Sequence, residues 1–329
     1  MALKIAINGF GRIGRCAARI IENDPNYELC IINDTAERKV TRYLLKYDTV
    51  HGEFNKEVEV LDDDHIAIGG RKVRVYSTRN IEDLDLSGID VVLECTGKFL
   101  TTEKCEAYLR QGAKKVIMSA PAKDDTPTFV LGVNANTYAG QKIISNASCT
   151  TNCLGPVTRV LEDNFGIEKG LMTTIHAYTN GQSLLDVKCR DLRRSRAAAQ
   201  NIIPTTTGAA KAMKLVMPSL EGKLHGQSVR VPVPNVSMVD LTAVLGKKTS
   251  KEELNETFVK ASKESLKGIM LVDFDERVST DFMSCAYSSI VAADLTQVIC
   301  GDMIKVMAWY DNEWGYSKRL VEMAGFISK

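Results

Sequence analysis

One stretch of the chain has residue types that could carry covalent chemistry, Ser145-Asn146-Ala147-Ser148-Cys149-Thr150-Thr151-Asn152-Cys153. An apolar run, Lys142-Ile143-Ile144, leads into it, and Leu154 to Glu162 follows with apolar residues at helical spacing. Ser148 is therefore placed as an N-cap, and Cys149 in the first turn of a helix. A thiol there meets unpaired backbone N–H groups and the positive end of the helix dipole, which favour thiolate and make Cys149 a nucleophile candidate. The competing reading is a small buried apolar side chain. Cys16, Cys30, Cys95, Cys105, Cys189, Cys285 and Cys300 sit in apolar runs and take that reading. Cys153, one helical turn after Cys149, shares its face, but too few further ligands lie nearby for a metal pair, and no metal site is expected.

A nucleophile needs a base, and the chain has four histidines. His51 and His65 lie in turn-rich surroundings, and His225 stands beside Gly226 in what reads as a polar loop. His176 ends the strand-like run Leu171-Met172-Thr173-Thr174-Ile175, in the half that follows Cys149. From the residues alone, a histidine at a strand end is more often structural than catalytic. As a base it would bring an unperturbed pKa of about 6.5, suited to work near neutral pH.

These side chains must be held by larger elements, and the first half of the chain reads as a dinucleotide-binding unit. Ile5-Ala6-Ile7 leads into Gly9-Phe10-Gly11-Arg12-Ile13-Gly14, and a helical pattern then runs through Arg15 to Glu22 and ends near Pro25. A second strand, Tyr27 to Ile32, ends at Asn33-Asp34, and 34 − 14 = 20 puts the acidic residue at the expected offset. Gly9, Gly11 and Gly14 would let backbone approach a pyrophosphate at the helix N-terminus, with Asp34 accepting from the adenosine ribose. A carboxylate at 34 repels a 2′-phosphate, so NAD is expected, although Arg38 and Lys39 nearby leave some tolerance of NADP. Short strands at Glu57 to Leu61, His65 to Ile68 and Arg71 to Tyr76 read as an antiparallel insertion, and buried parallel strands resume at Ile89 to Glu94 and Lys115 to Met118.

In the second half, Thr205-Thr206-Thr207-Gly208 precedes a helical pattern from Ala209 to Leu215, which is either an anion-binding helix start or an ordinary threonine cap. Tyr178 to Asn201 is polar with little periodicity and holds an arginine cluster from Arg190 to Arg196, read as phosphate or interface contacts rather than a nucleic-acid surface. Alternating runs at Ser228 to Pro232, Ser237 to Leu245, Phe282 to Val291 and Met303 to Tyr310 predict a largely antiparallel sheet. The fold class expected is α/β, a Rossmann dinucleotide-binding domain plus an α+β catalytic domain with a mainly antiparallel sheet. The first spans 1–148, completed by a C-terminal helix at 313–329, and the second 149–312.

At 329 residues the chain can bury two cores, and a net charge of +1 gives no general attraction to polyanions. Nine cysteines without framework spacing point to a reducing compartment. No leader pattern or membrane-length apolar run is seen, so a cytoplasmic protein is expected.

Ser148-Cys149-Thr150-Thr151-Asn152 resembles the active-site signature of the phosphorylating glyceraldehyde-3-phosphate dehydrogenases, in their bacterial NAD-dependent form. Further matches are Asn8 to Arg15, Glu94-Cys95-Thr96-Gly97, His176-Ala177-Tyr178-Thr179, Arg230-Val231-Pro232 and Trp309-Tyr310-Asp311-Asn312-Glu313, so the resemblance covers essentially the whole chain. It implies that Cys149 forms a hemithioacetal and then a thioacyl intermediate, with His176 as base. It implies that Arg12 and Ile13 meet the pyrophosphate, that Arg79, Thr96, Phe99 and Ser119 line the adenine and nicotinamide path, and that Asn312 and Tyr316 serve the nicotinamide. Thr179, Arg194 and Arg230 would hold the phosphate of glyceraldehyde 3-phosphate, and Ser148, Thr150, Thr207 and Gly208 the inorganic phosphate. A homotetramer is implied, with the arginine-bearing loop against a neighbour's cofactor. Erythrose-4-phosphate dehydrogenase is the alternative within the same fold. Two residues depart from the pattern of bacterial relatives: Gly181 stands where many have Asp, and Lys188 where proline is usual.

Overall fold

The computed structural model describes residues 2–329 and divides into two compact units. The first runs through Phe129 and adds Thr137–Ala147 and Ser317–Lys329, and the second comprises Val130–Asn136 and Ser148–Tyr316.

In the first unit, β1 (Leu3–Asn8) leads into α1 (Arg12–Glu22), then β2 (Tyr27–Asn33) and α2 (Arg38–Lys46). Three short strands follow, β3 (Val58–Asp62), β4 (His65–Ile68) and β5 (Arg71–Tyr76), and then β6 (Val91–Glu94), α3 (Thr102–Arg110), β7 (Lys115–Met118) and β8 (Ile143–Ser145). The strand order is β3-β4-β5-β2-β1-β6-β7-β8. β1 pairs in parallel with both β2 and β6, and the β3-β4-β5 insertion is antiparallel, joining β2 through a parallel β5. The runs in the parallel strands are apolar because both faces are covered, and Ile5, Ile7, Ile32, Val91, Leu93 and Ile117 are all buried. Each such side chain contributes roughly 1.5–3 kcal/mol of burial free energy. α3 starts where the Thr101 hydroxyl accepts from the Lys104 N–H. With successive parallel strands joined by crossovers, the loops that leave β1, β2 and β6 gather at one edge of the sheet.

The second unit begins with α4 (Cys149–Phe165) and β9 (Ile167–Ala177), and continues with β10 (Ile203–Thr206), α5 (Ala209–Val216), β11 (Leu224–Val231), β12 (Ser237–Leu245) and α6 (Lys251–Lys263). It closes with β13 (Met270–Asp273), β14 (Ser289–Ala292), β15 (Gln297–Ile299), β16 (Met303–Tyr310) and the start of α7 (Trp314–Ile327). The sheet order is β10-β11-β9-β12-β16-β14-β13, with β15 on β16. Most pairs are antiparallel, but β11 runs parallel to β9, and β13 to β14. α4 is buried nearly all round and packs on β12, β14 and β16.

Several local expectations are corrected. His225 lies within β11, exposed, rather than in a loop, because β11 starts four residues before the alternation becomes visible. Phe282 to Val291 is not one strand: residues Ser279–Phe282 form a single tight helical turn, and only Ser289–Ala292 is β. Of the seven cysteines read as buried, Cys16 and Cys105 are, whereas Cys300 is exposed at a turn with φ 54°, where local apolarity came from strand neighbours.

Candidate active site

Cys149 is the first residue of α4. The turn before it is held by Ala147 at φ 56°, a left-handed conformation that a non-glycine residue adopts only when its surroundings enforce it. Ser148 then caps the helix, its hydroxyl accepting from the Thr151 N–H at 3.1 Å. His176 is the penultimate residue of β9 and 5% exposed. Its Nε2 is 3.6 Å from the Cys149 sulfur.

Arg230, on β11, is the register partner of His176 across the parallel β9–β11 pair. Its Nη1 lies 2.7 Å from His176 Nδ1 and donates to the Ala177 carbonyl at 3.0 Å, while Nδ1 itself is 2.7 Å from that carbonyl. The two hydrogens on Nη1 can serve two acceptors, so a bare Nδ1 and the carbonyl oxygen are bridged by one positive group. A protonated Nδ1 would instead meet an arginine N–H head-on. A bare Nδ1 would in turn face the Ala177 carbonyl oxygen, so each neutral tautomer satisfies one of these contacts, and what Arg230 opposes is the charged ring.

Burial, and after it the Arg230 charge, push the imidazole down to about 3, against the pull of the Ala177 carbonyl. Burial pushes the Cys149 thiol up, while Arg230, the Thr150 hydroxyl and the backbone N–H groups of Thr150 and Cys149 draw it back. The helix start therefore acts in the direction expected, but burial outweighs it. Burial beside a guanidinium thus favours the neutral His176 ring, well below the ordinary imidazole value of about 6.5 expected from residue type.

Sequence reasoning passed over Tyr310, which ends β16 on its buried face. Its hydroxyl is 2.9 Å from Thr150 Oγ1 and 2.8 Å from Thr174 Oγ1, and its ring stands edge-on to His176 at 6.0 Å between centroids. The two-residue alternation of β16 was the available signal, since it puts Tyr310 in line with buried Ile304, Val306 and Ala308.

The residues assigned to phosphate are spread over several elements. Arg230 stands beside Cys149 and His176. Arg194 lies in a helical turn at Arg193–Ser195, where its Nε donates to Thr205 Oγ1 at 3.0 Å, and Thr205 donates to Asp191 at 2.8 Å. Thr207 and Gly208 sit at the start of α5, the Thr207 hydroxyl accepting from the Ala209 N–H at 3.2 Å. The hydroxyls of Ser148 and Thr150 are engaged as cap and Tyr310 partner, and Thr179 carries the turn in which its carbonyl accepts from the Gln182 N–H. Asn312, buried, accepts at Oδ1 from the Ser237 hydroxyl at 2.8 Å, and Tyr316 is buried in α7.

In the first unit, the turn after β1 has the geometry a dinucleotide needs. Gly9 has φ 93°, and a Cβ there would lie 2.7 Å from the Thr96 nitrogen; one on Gly14 would lie 2.2 Å from the Gly9 carbonyl oxygen. Gly11 caps α1 without a side-chain hydrogen bond, and a Cβ there would meet no atom within 4 Å. Space is thus open at Gly11, beside the first turn of α1 where a pyrophosphate would meet helix N–H groups. Asp34 accepts from the Phe10 and Ala36 N–H groups, holding its carboxylate at the end of β2. Arg38 is directed elsewhere, donating to the carbonyls of Asp63 and Val75. Thr96 and Ser119 follow β6 and β7, Phe99 packs edge-on to Tyr108, and Arg79 is exposed beyond β5.

Comparison with known proteins agrees with both halves. The sequence model of the glyceraldehyde 3-phosphate dehydrogenase NAD binding domain matches residues 3–102, and that of the C-terminal domain residues 148–312. The chain is similar to the glyceraldehyde-3-phosphate dehydrogenase of Geobacillus stearothermophilus, 48% identical over 332 residues that cover 100% of this chain and 99% of that protein. It is likewise similar to glyceraldehyde-3-phosphate dehydrogenase 1 of Bacillus subtilis, 47% identical over 333 residues, with 100% and 99% covered. With the chloroplastic glyceraldehyde-3-phosphate dehydrogenase A of Zea mays it shares 50% over 328 residues, covering 98% of this chain and 81% of that one. Two sequence models spanning both halves and full-length identity near one residue in two leave one conclusion: the chain belongs to the glyceraldehyde 3-phosphate dehydrogenase family.

Proposed function

We propose that the chain oxidises glyceraldehyde 3-phosphate to 1,3-bisphosphoglycerate with NAD and inorganic phosphate. The observation that carries this is the Cys149 sulfur 3.6 Å from His176 Nε2 at a helix start, with Arg230 against the same imidazole.

As the Cys149 sulfur adds to the aldehyde carbon, its thiol proton passes by way of His176 to the developing oxyanion, which the Cys149 backbone N–H holds, giving the hydroxyl of a hemithioacetal. Arg230 is shared between His176 and the substrate phosphate. Turned to the phosphate, it leaves Nδ1 able to donate to the Ala177 carbonyl, and Nε2 becomes the accepting nitrogen that removes the hydroxyl proton. NAD, held by the residues named below, would supply the hydride acceptor for the same carbon, and loss of hydride together with the hydroxyl proton leaves a thioester on Cys149. Inorganic phosphate held by Ser148, Thr150, Thr207 and Gly208 then attacks the thioester carbon, and the C–S bond breaks to return the thiolate. Arg194 and Thr179 complete the substrate-phosphate set with Arg230. Asp34, Arg79, Thr96, Phe99, Ser119, Asn312 and Tyr316 hold the dinucleotide along its length, and Asp34 selects against a 2′-phosphate.

The domains follow this division of labour, 1–148 with 313–329 for the cofactor and 149–312 for catalysis. A homotetramer is supported by the loop before β10, where Leu184, Leu185, Leu192 and Ile202 are between 70% and 83% exposed. Among the described residues no two cysteines form a disulfide, as suits the cytoplasm, and no helix is long and apolar enough to cross a membrane.

The test is NADH formation from glyceraldehyde 3-phosphate, with and without phosphate, with NADP and erythrose 4-phosphate as comparisons. Turnover should require phosphate and fall by at least about a thousandfold in Cys149→Ser. Parent-level turnover in that variant, or a higher kcat/KM for erythrose 4-phosphate, would overturn the reading.

A further inference from the structure

Glu94 ends β6 with no exposed surface, and the aldehyde chemistry does not use it. Its Oε1 accepts from the Thr96 N–H at 2.7 Å and from the Thr96 hydroxyl, and its Oε2 accepts from Asn8 Nδ2 at 2.8 Å and from the Tyr108 hydroxyl at 2.5 Å. A carboxylate only accepts, so Asn8 must present its NH2 group and turn Oδ1 away. That oxygen accepts from Asn33 Nδ2 at 2.6 Å, which in turn leaves Asn33 Oδ1 facing the Thr78 N–H at 3.1 Å. A backbone N–H only donates, so the polarity imposed at Glu94 is correct at the far end of the relay.

The relay joins three loops. Asn8 precedes Gly9, Asn33 precedes Asp34, and Thr96 is the second residue after β6. Each of these loops carries residues assigned above to the dinucleotide. We propose that Glu94, braced by Tyr108, is the positioning residue of the cofactor site, setting the mutual placement of the glycine turn, Asp34 and Thr96. The inference rests on the NAD reading given above.

Burial pushes the Glu94 carboxyl up, and the hydroxyls of Thr96 and Tyr108 and the Asn8 amide oppose it without cancelling the rise, while the Thr96 and Thr78 N–H groups, which can only donate, keep the polarity of the relay. Glutamine fits the same space but brings an NH2 group against a donor. Flipping Asn8 and Asn33 moves the mismatch along the relay until it meets the Thr78 N–H, where it cannot be removed.

The experiment measures NAD binding by calorimetry, together with steady-state kinetics and Cys149 alkylation. Glu94→Gln should raise the Kd and KM for NAD about tenfold, while kcat at saturating NAD, the KM for glyceraldehyde 3-phosphate and the alkylation rate stay within about twofold. Tyr108→Phe keeps the ring and removes one donor, and should raise the Kd by roughly threefold. If Glu94→Gln does not fold, Tyr108→Phe decides alone. Parent-like NAD binding in the folded variants overturns the proposal, as does a fall in kcat parallel to the loss of affinity. A parent protein that binds no NAD refutes the cofactor reading itself.

Discussion

Replacing Arg230 with Met tests the electrostatics of the catalytic pair most directly. The Arg230 Nη1 is 2.7 Å from His176 Nδ1, but the charge is spread over the guanidinium. At an effective separation of about 4 Å and a dielectric near 20, the repulsion between it and an imidazolium is about 4 kcal/mol, or roughly 3 pKa units. Water entering the vacated space screens part of the change, and burial of the ring remains. His176, at about 3 in the parent, should therefore rise by roughly 1–3 units in Arg230→Met. Nitrogen–proton correlation spectra of the imidazole rings read this out, with the His176 signals assigned by their loss in His176→Asn. The parent ring should stay neutral from about pH 5 upward. The same shift has a stability consequence. The folded pKa lies below the unfolded one, so the unfolded chain binds the extra proton between about pH 6.5 and about 3, and stability falls as pH drops through that window. This one group contributes a slope of up to about 1.4 kcal/mol per pH unit, which His176→Asn should remove. A parent His176 that titrates near its ordinary value, or an Arg230→Met ring that does not move upward, would refute the reasoning.

Two further substitutions probe the first unit. Gly14→Ala drives a Cβ to 2.2 Å from the Gly9 carbonyl oxygen and should cost about 1–3 kcal/mol in denaturant unfolding, whereas Gly11→Ala, whose Cβ meets no protein atom, should weaken NAD binding with under about 1 kcal/mol of stability lost. Equal destabilisation by the two would contradict the packing described. Asp48, its side chain 7% exposed, is opposed by burial but held at about 2 by the Arg12 guanidinium and the N–H groups of His51 and Val50. Its depressed pKa gives stability that is present above the unfolded value and lost as pH falls toward about 2, so Asp48→Asn should cost about 1–2 kcal/mol at neutral pH. Unfolding curves of parent and variant should converge in acid, and a constant gap down to about pH 2 would argue against the linkage.

The amino-acid sequence alone determined what depends on residues close together in the chain. The glycine turn between an apolar strand and a helix, Asp34 at the next strand end, and Ser148 as the cap that puts Cys149 in a first helical turn are local matters of backbone freedom, periodicity and capping. Even the antiparallel insertion at Val58–Tyr76 was legible from two-residue alternation around Gly69-Gly70. Which half of the sheet pairs in parallel was not, because β11 meets β9 only after an intervening β10 and α5, and local pattern carries no record of that return. That pairing sets Arg230 beside His176, and the resulting burial and charge, rather than residue type, fix the protonation of the pair. Glu94 reads in sequence as the last residue of a strand. Its role as a shared acceptor for Asn8, Thr96 and Tyr108 exists only once residues 86 and 14 positions away along the chain are folded against it, because a hydrogen-bond relay is a property of positions in space.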